Sequence, residues 1–431
     1  MLLASRPAGP VRREQVLHCK TIFQGLDWLR FFLAAYLVIF HTLRNYSEVK
    51  QSALLYGFFG IGNFVTSCFF LLSGFILTHV YIGSSGGRDI QKRAFFITRF
   101  SALYPLHIIA LLLALSAIIS LKYELGSLAL KIHPVLASDF RVLQGPEVLM
   151  NIASHLTLTH AWNPLYMCFN GPSWSISALF FFYLLFPFVA PRIYQSRKPF
   201  IGLLVTGCLF AAPGIVATIL NLHDPLTDGL LHRNPIIRLP LFLAGIYLYV
   251  CFKRRREYKG TKMRNAWLLA LILASCFCGA YFQGQTQLGR FHWIDNGLYF
   301  IASLATIWLL CDMRRSNNSW GLIWSSRLGK ASLSIFVLHV PLHQLLVKIE
   351  RVVVGLAYAV QSGSGLSDFM KAALNHEKSW MFYPLHFLFI IFFSIFVHKQ
   401  IVEPIQAAVR RKLIARSVPK PSETFVDAGL A

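Results

Sequence analysis

Two side chains in one apolar stretch have a spacing that can do chemistry. Arg30 and His41 lie eleven residues apart in a run that begins at Leu26. In an α-helix eleven residues turn through about 1100°, three turns and about 20°, so both project from one side, about 16 Å apart along the axis. An anion held at Arg30 and a reaction at His41 would be joined by something long and thin. The pantetheine arm of coenzyme A has about that reach, with phosphates at one end and a thioester at the other. The competing reading is structural: Arg30 extends its head to the interface and His41 is satisfied by a hydrogen bond inside a bundle. Ionisable groups inside apolar helices are costly and are kept mainly for function. Asp27, the third such group in the run, is expected to pair with Arg30 or another basic neighbour, because a lone buried carboxylate is unfavourable.

The elements that must position this pair follow from composition. Of the 431 residues 55% are hydrophobic and 14% charged, and the mean hydropathy is +0.55. A soluble chain would carry about a quarter charged residues. A hydrocarbon core of about 30 Å needs about 20 apolar residues of helix. That ruler predicts an all-α polytopic bundle of about ten transmembrane helices, at 26–44, 55–82, 102–121, 174–191, 200–220, 237–252, 266–284, 295–312, 331–350 and 379–401. The ninth either continues through Val352–Val360 or leaves that piece in the interface. With the N-terminus in the cytoplasm, 28 of the 41 Lys and Arg fall on the inner side and 11 outside, with Lys253–Arg256 as the strongest anchor. This asymmetry orients the bundle with both termini cytoplasmic. The domain plan is an N-terminal segment 1–25, a membrane domain 26–412 and a structureless cytoplasmic tail 413–431. The first apolar run is read as a retained helix, since it holds Asp27 and Arg30 and ends without a small-residue cleavage site. In the longest outer connection, 122–173, Glu147–Leu156 has helical apolar spacing and is expected to lie flat on the surface.

The net charge of +23 does not signal nucleic acid, because the basic residues are spread over short loops instead of one patch. Eight scattered cysteines show no metal-ligand spacing, and no HExxH or compact Cys/His set occurs among the 15 histidines, so no metal is expected. Without a Gly-rich phosphate loop, ATP use is not expected either. Membrane lipid is the one partner that composition implies.

Motifs in order along the chain resemble a known family. Leu26-Asp27-Trp28-Leu29-Arg30 followed by His41 looks like the opening of the acyltransferase-3 family of membrane acyltransferases. Phe69–Phe75, with Ser73-Gly74, resembles its second-helix signature. Phe95-Phe96, Arg99 and Tyr104-Pro105 resemble the entry to its third helix, and Trp174-Ser175-Ile176-Ser177 with Phe182-Tyr183 and Phe186-Pro187 its fourth. Arg238–Phe242 with Gly245, Ser334–Phe336 with His339 and Pro341, and Glu403-Pro404 are similar to later elements. The resemblance covers about 26–412.

The resemblance implies transfer of an acyl group, commonly acetyl, from cytoplasmic acyl-CoA to a hydroxyl of an extracytoplasmic glycan, exopolysaccharide or lipid-linked sugar, at the plasma (inner) membrane. It makes His41 the catalytic base or acyl relay, and Arg30 a donor-binding group with Arg99 and Arg93 beside it. Either role needs a neutral imidazole, and a hydroxyl nucleophile needs a base within hydrogen-bond reach. Trp174, Ser175, Ser177 and His339 are the candidate acceptor contacts, each with a packing alternative; Asp27 and Ser73 are supporting residues. Two positions depart from the family pattern. Leu179 stands where a glutamate is common, and Ala102 where a second arginine is common. They support the alternative of a catalytically inactive scaffold in a polysaccharide-synthesis complex. A glycan or lipid transporter is a further alternative, since buried Arg, Asp and His also suit a transport path; no internal repeat supports it.

Overall fold

The computed structural model describes residues 23–83, 90–119, 129–132, 141–255, 261–285, 292–311, 319–363, 365–376 and 378–414. Ten of its helical stretches are long and apolar enough to cross a membrane, and each overlaps a run picked out by apolar length. The chain is an all-α, multi-pass bundle. The spanning helices are α1 (Gln24–Thr42), α2 (Gly62–Thr78), α3 (Lys92–Ile119), α5 (Trp174–Tyr194), α6 (Pro199–Ile219), α7 (Pro235–Arg254), α8 (Lys262–Gly284), α9 (Tyr299–Cys311), α10 (Ser319–Ser362) and α12 (Tyr383–Val397). Between α3 and α5 lie a two-stranded antiparallel ribbon, β1 (Ala129–Ile132) with β2 (Arg141–Gln144), and α4 (Pro146–Leu156). The hairpin partner of α10 is α11 (Leu366–Asn375), and α13 (Glu403–Ile414) follows α12 through a π-type turn at His398–Val402. Of the planned terminal segments, residues 1–22 and 415–431 lie outside the described residues.

Three boundaries differ from the sequence expectation. Helix α3 starts at Lys92 instead of near 102, so Arg93 and Arg99 ride on its first turns. Long basic side chains let a helix run past the apolar core, which apolar length alone cannot register. Helix α10 is one continuous rod from Ser319 to Ser362. At 1.5 Å per residue it is about 66 Å long, twice the apolar thickness, so Val352–Val360 continues the ninth span. Helix α13 extends to Ile414, past the expected start of the tail at 413.

Packing is set by three helix contacts. Helix α10 lies along α1, and α7 is wedged between α2 and α6. The α2–α7 approach is close enough that a Cβ at Gly74 would fall on the carbonyl oxygen of Phe242, and one at Gly245 on that of Leu71. Glycine at both positions lets the two backbones touch, the small-residue packing that membrane helices use in place of a hydrophobic driving force.

Helix α4 forms where its spacing predicts, but it does not lie free on the surface: Val148, Asn151 and His155 are buried. His155, His160 and His107 stack with nearly parallel rings, the first two 4.0 Å apart. His155 Nδ1 donates to the Asn151 carbonyl at 2.8 Å. Burial, opposed by that hydrogen bond, lowers the pKa of His155 from 6.5 to about 4, and burial followed by the neighbouring imidazoles holds His160 well below 6.5. An unfolded segment binds these protons near pH 6.5 while the folded one refuses them. The stability they contribute is therefore complete above pH 6.5 and is lost as pH falls toward 4, by on the order of 3 kcal/mol for His155. Proteolysis of the 141–170 segment should accelerate steeply between pH 6.5 and 4.5. A pH-independent cleavage rate would contradict this.

Candidate active site

Helix α1 projects Arg30 and His41 toward the same neighbour, α10. Arg30 shares a cavity wall with Lys330 and Ser334 of α10, and His41 is hydrogen-bonded to His339 of the same helix. The local sequence of α10 explains how His339 is held. Pro341 has no N–H, so the Val337 carbonyl four residues earlier lacks its helical donor. The side-chain amide of Asn170, from the turn before α5, donates to that carbonyl at 2.9 Å. A break in the helix ladder thus becomes a tether between α10 and the α5 entry.

The hydrogen bonds of the two imidazoles fix their proton positions. A carbonyl only accepts, so His339 Nδ1 carries the proton that meets Phe336 O at 2.5 Å. Nε2 of His339 is then an acceptor. It lies 3.0 Å from His41 Nδ1, which is also 2.9 Å from the Leu37 carbonyl. The proton therefore sits on His41 Nδ1, shared between two acceptors, and Nε2 of His41 keeps its lone pair. An imidazole oriented this way is a competent general base or nucleophile.

The cavity on the Arg30 side holds about 480 Å³, within the range of small-molecule sites. Its cationic side chains are Arg30, Arg99, Lys330 and Arg410; its carboxylate is Glu403. Arg99 donates from Nη2 to the Tyr81 hydroxyl at 3.0 Å and lies over that ring, while its Nε is buried with no hydrogen-bond partner among the described residues. Asp27 lies close enough to act electrostatically on Arg30 and Lys330. Ser73 lines the cavity and donates to the Phe69 carbonyl at 2.8 Å. His398 joins α10 to the last helix, with Nδ1 3.0 Å from Ser334 Oγ and Nε2 3.6 Å from Glu403 Oε1.

Ala102 and Leu179 line this same cavity. The two departures from the resemblance remove one positive and one negative group from one wall, so together they leave its net charge unchanged. Phe69, also in the lining, stacks on Phe336 with ring centroids 5.8 Å apart, and the Phe336 ring adjoins His339. Contacts therefore run from the cavity through two aromatic rings to the imidazole pair.

The remaining sequence candidates fall elsewhere. Arg93 is exposed and is not part of the cavity wall. Trp174 is buried, its ring 4.8 Å from that of His232 and edge-on to Phe70. Ser175 donates to the Pro172 carbonyl at 2.9 Å. Ser177 donates to Leu158 O at 2.5 Å and accepts from Ala161 N at 3.2 Å, so both hydroxyls hold loops. Lys330, Arg410 and Asn170 went unnoticed in the sequence, since each joins the site from a separate helix or turn. Among the described residues no group of three or more His, Cys, Asp or Glu is arranged to hold a metal ion.

A stretch of 168 residues is 30% identical to an acyltransferase, MdmB, of Streptomyces mycarofaciens; it covers 38% of this chain and 38% of that protein. No solved structure matches. The profile of an acyltransferase domain matches residues 23–399, which hold Arg30, His41, Arg99 and His339. The chain belongs to that acyltransferase-3 family of membrane acyltransferases.

Proposed function

We propose that this protein is an acyl-CoA-dependent O-acyltransferase of the plasma (inner) membrane. Residues 26–412 act as one catalytic domain with both ends in the cytoplasm. It moves an acyl group, acetyl in the first instance, to a hydroxyl of an extracytoplasmic glycan or lipid-linked sugar. The observation that carries this reading is the hydrogen-bond chain from Phe336 O through His339 to His41, which leaves a lone pair on His41 Nε2 on the face of α1 that also bears Arg30.

The cationic cavity receives the phosphates of the donor, with Arg30 and Arg99 as their contacts. The pantetheine arm runs along α1, and the Phe69–Phe336 pair must part to admit it. At the far end His41 Nε2 takes the proton of the acceptor hydroxyl as its oxygen attacks the thioester carbonyl. When the tetrahedral intermediate collapses, the C–S bond breaks and His41 returns the proton to sulfur. Atoms and protons balance without a metal or a further reactant. In the relay variant the same nitrogen carries the acyl group between the two oxygen and sulfur partners. Ser175 and Ser177 act by holding the loops at the start of α5, and His339 by orienting His41.

The test is direct. Membranes containing the protein are given radiolabelled acetyl-CoA, then longer acyl-CoA donors, and label is followed into glycan and lipid-linked sugar. Labelled, base-labile ester is the expected product. Failure to label with every donor would leave the scaffold reading in its place.

A further inference from the structure

The cavity has two tiers of positive charge, and only the inner one is used above. Arg30 and Arg99 are half-buried within it, while Lys330 and Arg410 are exposed at its rim. Arg410 comes from α13, beyond the family-matched stretch that ends at 399. Helix α13 turns Glu403, Gln406, Ala407 and Arg410 to the cavity, a spacing of three, four and seven that places all four on one helical face. The residues three and four before Arg410 are Ala407 and Gln406, so no acid neutralises it from its own helix. Glu403 stands two turns away and faces His398 at 3.6 Å. The bond from His398 to Ser334 ties the start of α13 to α10, one turn from Lys330.

We propose that Lys330 and Arg410 form the recognition site for the ribose 3′-phosphate at the nucleotide end of the donor. The inference rests on the acyl-CoA reading above. A coenzyme A whose thioester reaches His41 brings its diphosphate to Arg30, about 16 Å back along α1. A second, separate phosphate remains on the ribose beyond it. Lys330 and Arg410 are the remaining cationic side chains of the same cavity, and both are exposed while Arg30 and Arg99 are not. A charge pair there discriminates a donor that carries this phosphate from one that lacks it.

The experiment compares binding of coenzyme A and 3′-dephospho-coenzyme A to the purified full-length protein, by calorimetry. The proteins are wild type, Arg410→Ala, Lys330→Ala and the double variant. Wild type should prefer coenzyme A at least tenfold. The double variant should bind both ligands equally, with the affinity of wild type for the dephospho form, which also shows that the inner tier and the fold are intact. An undiminished preference in the double variant would overturn the proposal and leave the pair to lipid headgroup phosphates. Wild type that binds the two ligands equally would overturn it as well, with the donor reading still standing. Binding of neither ligand by wild type would remove the donor reading itself.

Discussion

Substitution of His41 by Ala should abolish acyl transfer, lowering kcat by about 10³-fold, within the range that a positioned base or nucleophile supplies. Donor affinity should hardly move, because the cavity that includes Arg30 and Arg99 does not include His41. His339→Phe keeps a ring of similar size but removes the acceptor that shares the His41 proton. It should lower kcat about 10–100-fold, as loss of an orienting partner does, with little change in KM for either substrate. The pair distinguishes chemistry from orientation. Steady-state kinetics on both variants, with donor binding measured separately, checks it. His41→Ala with more than a tenth of wild-type kcat would sink the assignment.

The second large effect lies in the fold. Gly245→Val should leave little folded protein. Its side chain would be driven into the Leu71 carbonyl, and α2 and α7 would have to separate. Overpacking a well-packed contact commonly costs about 1–3 kcal/mol, and here the obstacle is backbone, which cannot rotate aside. Helix α2 also supplies Phe69, Leu72, Ser73, Ile76 and Leu77 to the cavity, so its displacement removes a cavity wall with the packing. Gly74→Val should act alike from the facing helix. The measurement is the monodisperse yield in detergent and the thermal midpoint. Gly245→Val with wild-type values of both would show that the two helices are free to part.

The bundle was readable because lipid imposes a length on every crossing, and the ten apolar runs obey it. The Arg30–His41 relation was readable for a similar reason, since both residues sit on one helix whose pitch is known. What lay hidden involved partners far apart in the chain. His41 and His339 are separated by 298 residues, and no periodicity connects them. Asn170 meets Val337 because a proline four residues on leaves a carbonyl open, a relation seen only when the two segments are brought together. Arg410 carried no motif, and only α13 brings it to the cavity. The motif serines mislead in the opposite direction. Ser175 and Ser177 have the chemistry of acceptor contacts, but their hydrogens are committed to backbone carbonyls. The early start of α3 escaped notice because Lys92, Arg93 and Arg99 interrupt the apolar signal while their helix continues.

The stacked Phe69 and Phe336 rings have a consequence for the cell's energy supply. A protein hollowed from one face, with titratable imidazoles immediately beyond the hollow, is a short step from a proton leak. Phe69 and Phe336, with centroids 5.8 Å apart, put apolar surface between the cavity and His339. On the proposed donor path, a gap between these rings exists only while the substrate arm fills it.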